Sequence, residues 1–115
     1  MKSFEQWQNK SAGAQALLTT IGNKIYSIAP NVEIILFGSR ARGDASEFSD
    51  WDILILTEQE ADKNLTCQIR DSLYEIELES DQILSSIVRS KSDWYSSQYS
   101  VLPLKRVVDT EGIVL

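Results

Sequence analysis

The chain has 115 residues, a net charge of −6, 43% hydrophobic and 24% charged residues, no histidine and one cysteine. That length predicts one domain over residues 1–115, and the negative balance argues against a bare nucleic-acid-binding surface, which needs a surplus of Lys and Arg. Without histidine there is no imidazole acid–base chemistry, no Ser–His–Asp triad and no His-based zinc site, and Cys67 alone cannot close a disulfide within the chain. No run approaches the roughly 18 apolar residues of a membrane span. The N-terminus lacks the unbroken apolar stretch of a signal peptide. Together these predict a protein of the reducing cytoplasm.

Ser3 with Gln6 three residues on is a capping-box pattern. Phe4, Trp7, Ser11, Ala14, Leu18, Ile21, Ile25 and Ile28 then recur three or four apart, which predicts one long amphipathic helix ended by Pro30. Val32–Phe37 is short and mostly apolar, as a buried strand is. It feeds Gly38-Ser39-Arg40-Ala41-Arg42-Gly43, a turn with a brief helix and a glycine placed for a left-handed cap. A polar loop follows, then a second strand over Trp51–Leu56. By alternation Trp51 points into the core. Thr57 with Glu60 is a second capping-box pattern, opening a helix to about Leu78 through Ala61, Leu65, Ile69, Leu73 and Ile76; alternation at Tyr74, Ile76 and Leu78 leaves its end open to a strand reading. Cys67 falls on this helix at a core or boundary position. A third strand is expected over Gln82–Arg89, a polar turn at Ser90–Ser92, a loop or short helix carrying Trp94, Tyr95 and Tyr99, and a last helix over 103–110. Pro103 suits the first turn of that helix and Gly112 its end. The order predicts an α/β (α+β) fold: a small mixed sheet of three strands, with one added edge possible, and helices packed on one face.

The stretch from Val32 to Leu56 organises the rest. A strand that runs into Gly-Ser and a helix start presents free backbone N–H groups, which suit phosphate oxygens. Asp50 and Asp52, two apart at the head of the second strand, face one way. Carboxylates together with nucleotide phosphates are a common way to hold Mg²⁺. Without a metal, two such charges on one face disfavour each other's ionisation.

Gly38, Ser39, Ala41, Arg42, Gly43, Ser49, Asp50 and Asp52 stand in the pattern Gly-Ser, a variable residue, Ala-Arg-Gly, a loop, then Ser-Asp-x-Asp. This resembles the nucleotidyltransferase superfamily related to DNA polymerase β, and most of all its minimal nucleotidyltransferases, which are often paired with HEPN-type partners in toxin–antitoxin systems. The tail Glu111-Gly112-Ile113-Val114-Leu115 is also similar to the way these domains end. The resemblance implies that Gly38, Ser39 and Arg42 bind the nucleotide and that Asp50 and Asp52 are catalytic and hold Mg²⁺, with two ions. It implies a nucleoside triphosphate substrate, ATP in the first instance, and transfer of the nucleoside monophosphate to a hydroxyl. That hydroxyl can belong to a HEPN-type toxin for which this chain is the antitoxin.

Several readings stay open at this stage. Arg42 can touch phosphate or brace the loop through Asp44 or Glu47; Arg40, at the variable position, is expected in solvent. Catalytic members of the family carry a third carboxylate on the next strand, expected near position 85, where this chain has Ser85. Asp81 or Glu79 completes the site only if the register shifts. The alternative function is therefore a degenerate nucleotide-binding or partner-binding module without turnover. Trp94, Tyr95, Tyr99 and the apolar tail either form an interface with a partner or a second copy, or cover the sheet.

Overall fold

Strands rich in Ile and Leu bury both faces only when neighbours pair on each side and helices close over them. The computed structural model describes residues 1–8 and 10–115. In chain order the elements are β1 (Lys2–Ser3), α1 (Ala12–Ile28), β2 (Glu33–Phe37), α2 (Ser39–Arg42), β3 (Trp51–Thr57), α3 (Lys63–Ser80), β4 (Leu84–Ser90), α4 (Lys91–Trp94), a 3-10 turn (Tyr99–Val101), α5 (Pro103–Glu111) and β5 (Ile113–Val114). They build a mixed five-stranded sheet in the order β1-β5-β2-β3-β4. β2 is antiparallel to both β3 and β5; β3–β4 and β1–β5 are parallel.

Side-chain alternation separates two cores. Ile34, Leu36, Trp51, Ile53, Ile55, Leu84 and Val88 face α1 and α3, which bring Leu18, Ile21, Ile25, Leu65, Ile69, Leu73 and Ile76. Ile35, Phe37, Leu54 and Leu56 face the other way, where Trp94 of α4 and Val108 of α5 cover them. The two long helices thus take one face, as expected, and the C-terminal third closes part of the opposite face. Trp94 is 1% exposed, and Tyr99 meets its ring edge-on at 6.1 Å. Of the three aromatics, only Tyr95 is left exposed. Trp94 and Tyr99 therefore belong to the cover of the sheet, while Tyr95 stays at the surface.

Several details differ from the sequence reading. Ser3 and Gln6 do exchange the capping-box bonds, at 3.0 and 3.3 Å, but around a single turn. Ser3 itself lies in β1, because Lys2 and Phe4 donate to Gly112 and Val114 at the far end of the chain. α1 starts at Ala12 instead, capped by the Ser11 hydroxyl, which accepts from the Ala14 N–H at 3.1 Å. Ser11→Ala should cost about 1 kcal/mol, read as a lower urea midpoint at unchanged slope.

Thr57 does not cap α3: it ends β3 with its hydroxyl on the Gln59 carbonyl, and Asp62 caps α3 by accepting from Leu65 N–H at 2.8 Å. α3 stays helical through Tyr74, Ile76 and Leu78 to Ser80, where Asp81 adopts φ 61 as its left-handed cap. Cys67 is exposed on it, outside the core. The tail is a strand, β5, inserted between β1 and β2, so the sheet has five strands where three or four were expected. Among the described residues no helix is long and apolar enough to cross a membrane.

Candidate active site

Gly38 leaves β2 with φ 81, a conformation that favours glycine, and a Cβ there would collide with the Asp52 carboxylate, lying 3.1 Å from its Cγ. The Gly38 carbonyl accepts from the N–H groups of Ala41 and Arg42, both at 3.0 Å, which winds the single turn of α2. The amides of Ser39 and Arg40 precede the bonds that such a turn can make for itself. Gly43, at φ 91, closes the turn by donating to the Ser39 carbonyl at 2.9 Å. Gly38 and Ser39 are therefore held against the head of β3.

Asp52 lies opposite Phe37 on one side and Ser85 on the other. It alternates with Trp51 and Ile53, so its side chain is on the sheet face away from α1 and α3. Its carboxyl is half-buried, and its pKa is raised above the ordinary carboxylate range. Burial is the main cause, followed by the charges of Asp50 and Glu111; Arg42 opposes them. Asp50, just before β3, is exposed. Among the described residues the ion pairs engage Asp44, Glu58, Glu75, Asp109 and Glu111, and leave Asp50 and Asp52 out. Two carboxylates within electrostatic reach of each other, outside those pairs and beside the Gly38–Ser39 turn, could both contact one divalent cation. No three His, Cys, Asp or Glu side chains form a metal-holding group among the described residues. The donor set therefore fits Mg²⁺ completed by water and phosphate oxygens, and does not fit a closed protein cage.

Arg42 donates from Nε to Asp44 at 3.1 Å and from Nη1 to Glu111 at 2.8 Å. These bonds hold its guanidinium firmly protonated, Asp44 more strongly than Glu111. Arg40 does not extend into solvent. Its guanidinium lies 4.6 Å from the centre of the Trp51 ring and donates to the carbonyls of Ser49 and Glu47, at 2.9 and 3.2 Å from Nη2. Arg40 thus fastens the 44–49 loop to the sheet, and Arg42 ties the turn to the C-terminal helix.

A family model for the nucleotidyltransferase domain matches residues 19–101. The chain belongs to the nucleotidyltransferase family. A 1.40 Å crystal structure from Sulfolobus solfataricus, of a protein provisionally assigned as a nucleotidyltransferase, shares the fold of this nucleotidyltransferase domain. The TM-score is 0.54 at 22% identity, over 93% of this chain and 89% of that one. No curated protein matches the sequence.

In this nucleotidyltransferase domain Ser85 stands directly beside Asp52 in the β3–β4 register. Asp81 forms the left-handed backbone cap of α3, ahead of β4 and outside its register with β3. Glu79 lines an open cleft of about 470 Å³ with Leu17, Trp51 and Ile76, on the helix side of the sheet and so across it from Asp52. Sequence reasoning missed Glu111 as a neighbour of the site. Its pairing with Arg42 spans 69 positions, and no local spacing announces it.

Proposed function

We propose that the chain binds a nucleoside triphosphate, ATP in the first instance, together with Mg²⁺ held by Asp50 and Asp52, and transfers the nucleoside monophosphate to a hydroxyl. The observation that carries this reading is the packing of the Gly38 backbone against the Asp52 carboxylate, which brings a turn suited to phosphate and a cation-seeking pair into one place. Family membership supports a nucleoside triphosphate substrate in general.

Gly38, lacking a side chain, leaves room for the Asp52 carboxylate beside the turn, so that metal and phosphate can share one place. The Ser39 amide and hydroxyl are donors to phosphate oxygens, and Arg42 adds positive charge at the turn. Bound Mg²⁺ supplies charge neutralisation and fixes the triphosphate for in-line attack. The acceptor oxygen bonds to the α-phosphorus, the bond to pyrophosphate breaks, and the hydroxyl proton leaves to solvent. Four acidic side chains (Asp44, Asp50, Asp52 and Glu111) surround the turn against two arginines, Arg40 and Arg42, so triphosphate alone is repelled and binding runs through the metal. We place this domain in the cytoplasm, with a HEPN-type partner or a second copy to supply or orient the acceptor.

A second reading, nucleotide or partner binding with little turnover, is favoured by Ser85 at the position beside Asp52 where an acid would complete the site. Incubation with labelled ATP, Mg²⁺ and candidate acceptor protein separates the two. Wild type should transfer slowly, and Ser85→Asp should raise transfer on the order of 10²-fold, the scale of one positioned acid–base group. Fast wild-type transfer, unchanged in Ser85→Asp, contradicts the role given to position 85.

A further inference from the structure

We infer that Glu111, the last residue of α5, is a positioning residue that keeps Arg42 off the metal-binding carboxylates, an inference that rests on the nucleotide site proposed above. The Arg42 N–H bonds the Gly38 carbonyl at 3.0 Å, and a Cβ at Gly38 would touch the Asp52 side chain, so the root of Arg42 is one residue's width from Asp52. A guanidinium rooted there can fork onto a carboxylate, and Arg pairs of that kind are strong and geometrically favoured. An Arg42–Asp52 pair would occupy the oxygens a cation needs. Instead Nη1 is on Glu111 at 2.8 Å and Nε on Asp44 at 3.1 Å. The Glu111 side chain is only 14% exposed, against 62% for Asp44, so the Glu111 contact is the less solvent-screened of the two.

Glu111 is itself fixed from both directions. It ends a helix whose Gly112 donates back to the Val108 carbonyl at 2.8 Å, and whose next residues enter the sheet as β5. A side chain at Gly112 would run into that carbonyl and into Ile35, so the corner holding Glu111 has little room to shift. The C-terminal strand thereby sets where Arg42 rests.

Calorimetric titration of ATP at a series of Mg²⁺ concentrations tests this on wild type, Glu111→Gln and the double variant Glu111→Gln/Arg42→Gln, each first checked by thermal melting. Glu111→Gln keeps the shape and removes the charge. It should raise the Mg²⁺ concentration for half-maximal ATP binding about 10-fold, the scale on which one charge-assisted pair with Arg42 competes for Asp52. The double variant should return that Mg²⁺ requirement toward wild type, because no guanidinium remains to fold onto Asp52, even though ATP binds more weakly overall. A merely structural role predicts no such return. Wild-type binding with an unchanged Mg²⁺ requirement in Glu111→Gln overturns this inference and leaves the nucleotide site standing; no Mg²⁺-ATP binding by folded wild type overturns both.

Discussion

Gly38→Val should abolish measurable Mg²⁺-ATP binding, a loss of at least about 100-fold, and lower stability by roughly 1–3 kcal/mol. Two independent effects act at one residue. The backbone there has φ 81, which a β-branched side chain adopts only under strain. The new Cβ also lands on the Asp52 carboxylate, which must turn away from its position beside the turn. Displacing Asp52 removes a proposed metal ligand from beside the turn. Gly38→Ala carries the same backbone strain with less bulk and should fall between wild type and Gly38→Val. Calorimetry with ATP and Mg²⁺, paired with urea unfolding, reads both effects. Unchanged affinity in Gly38→Val would mean that phosphate does not approach this turn.

Asp52→Asn should leave the metal-free protein as stable as wild type or more so, and erase most of the stabilisation from Mg²⁺-ATP. The first half follows from the raised pKa of Asp52, set by burial and then by Asp50 and Glu111. Below its unfolded-state pKa the group is protonated in both states and carries no penalty. As pH rises through the folded value, the unfolded chain gives up its proton more readily, and stability is lost. Wild type should therefore fall relative to Asp52→Asn as pH rises through the range just above ordinary carboxylate values, and stay lower at neutral pH. The second half is mass action: ligand at a hundredfold excess over its dissociation constant adds about 2.7 kcal/mol to wild type. Four melts, each protein with and without Mg²⁺-ATP, measure both. A metal-free Asp52→Asn protein that melts far below wild type would make Asp52 a structural cap.

The part of the site that is local in sequence was legible. Gly38, Ser39, Asp50 and Asp52 lie within one β-turn-β unit, where spacing fixes the geometry, and the Trp51–Asp52 alternation sent the indole into the core and the carboxylate to the opposite face. What depends on distant pairing was hidden. β1 and β5 are two residues each, too short to carry a periodic pattern, and form because the two ends of the chain hydrogen-bond to each other. The same end-to-end pairing cut short the helix expected from Ser3. Arg42 braces Asp44, one of the two readings the sequence allowed, whereas Arg40 leaves its expected place in solvent for a similar reason. The Trp51 ring and the Ser49 carbonyl that hold Arg40 are brought to it only once the loop has folded back. For Trp94 the sequence leaves an interface and a cover of the sheet open, because nothing local says which sheet face awaits an aromatic, and here the face of Ile35 and Leu54 does.

The account stands most directly on titration of ATP into wild type and into Asp52→Asn by calorimetry, with Mg²⁺ and again with a chelator. Wild type should show saturable binding that needs Mg²⁺, and Asp52→Asn should show little under either condition. Equal binding with the metal removed, or equal binding by the two proteins, would contradict a metal–nucleotide site built on Gly38, Ser39, Asp50 and Asp52.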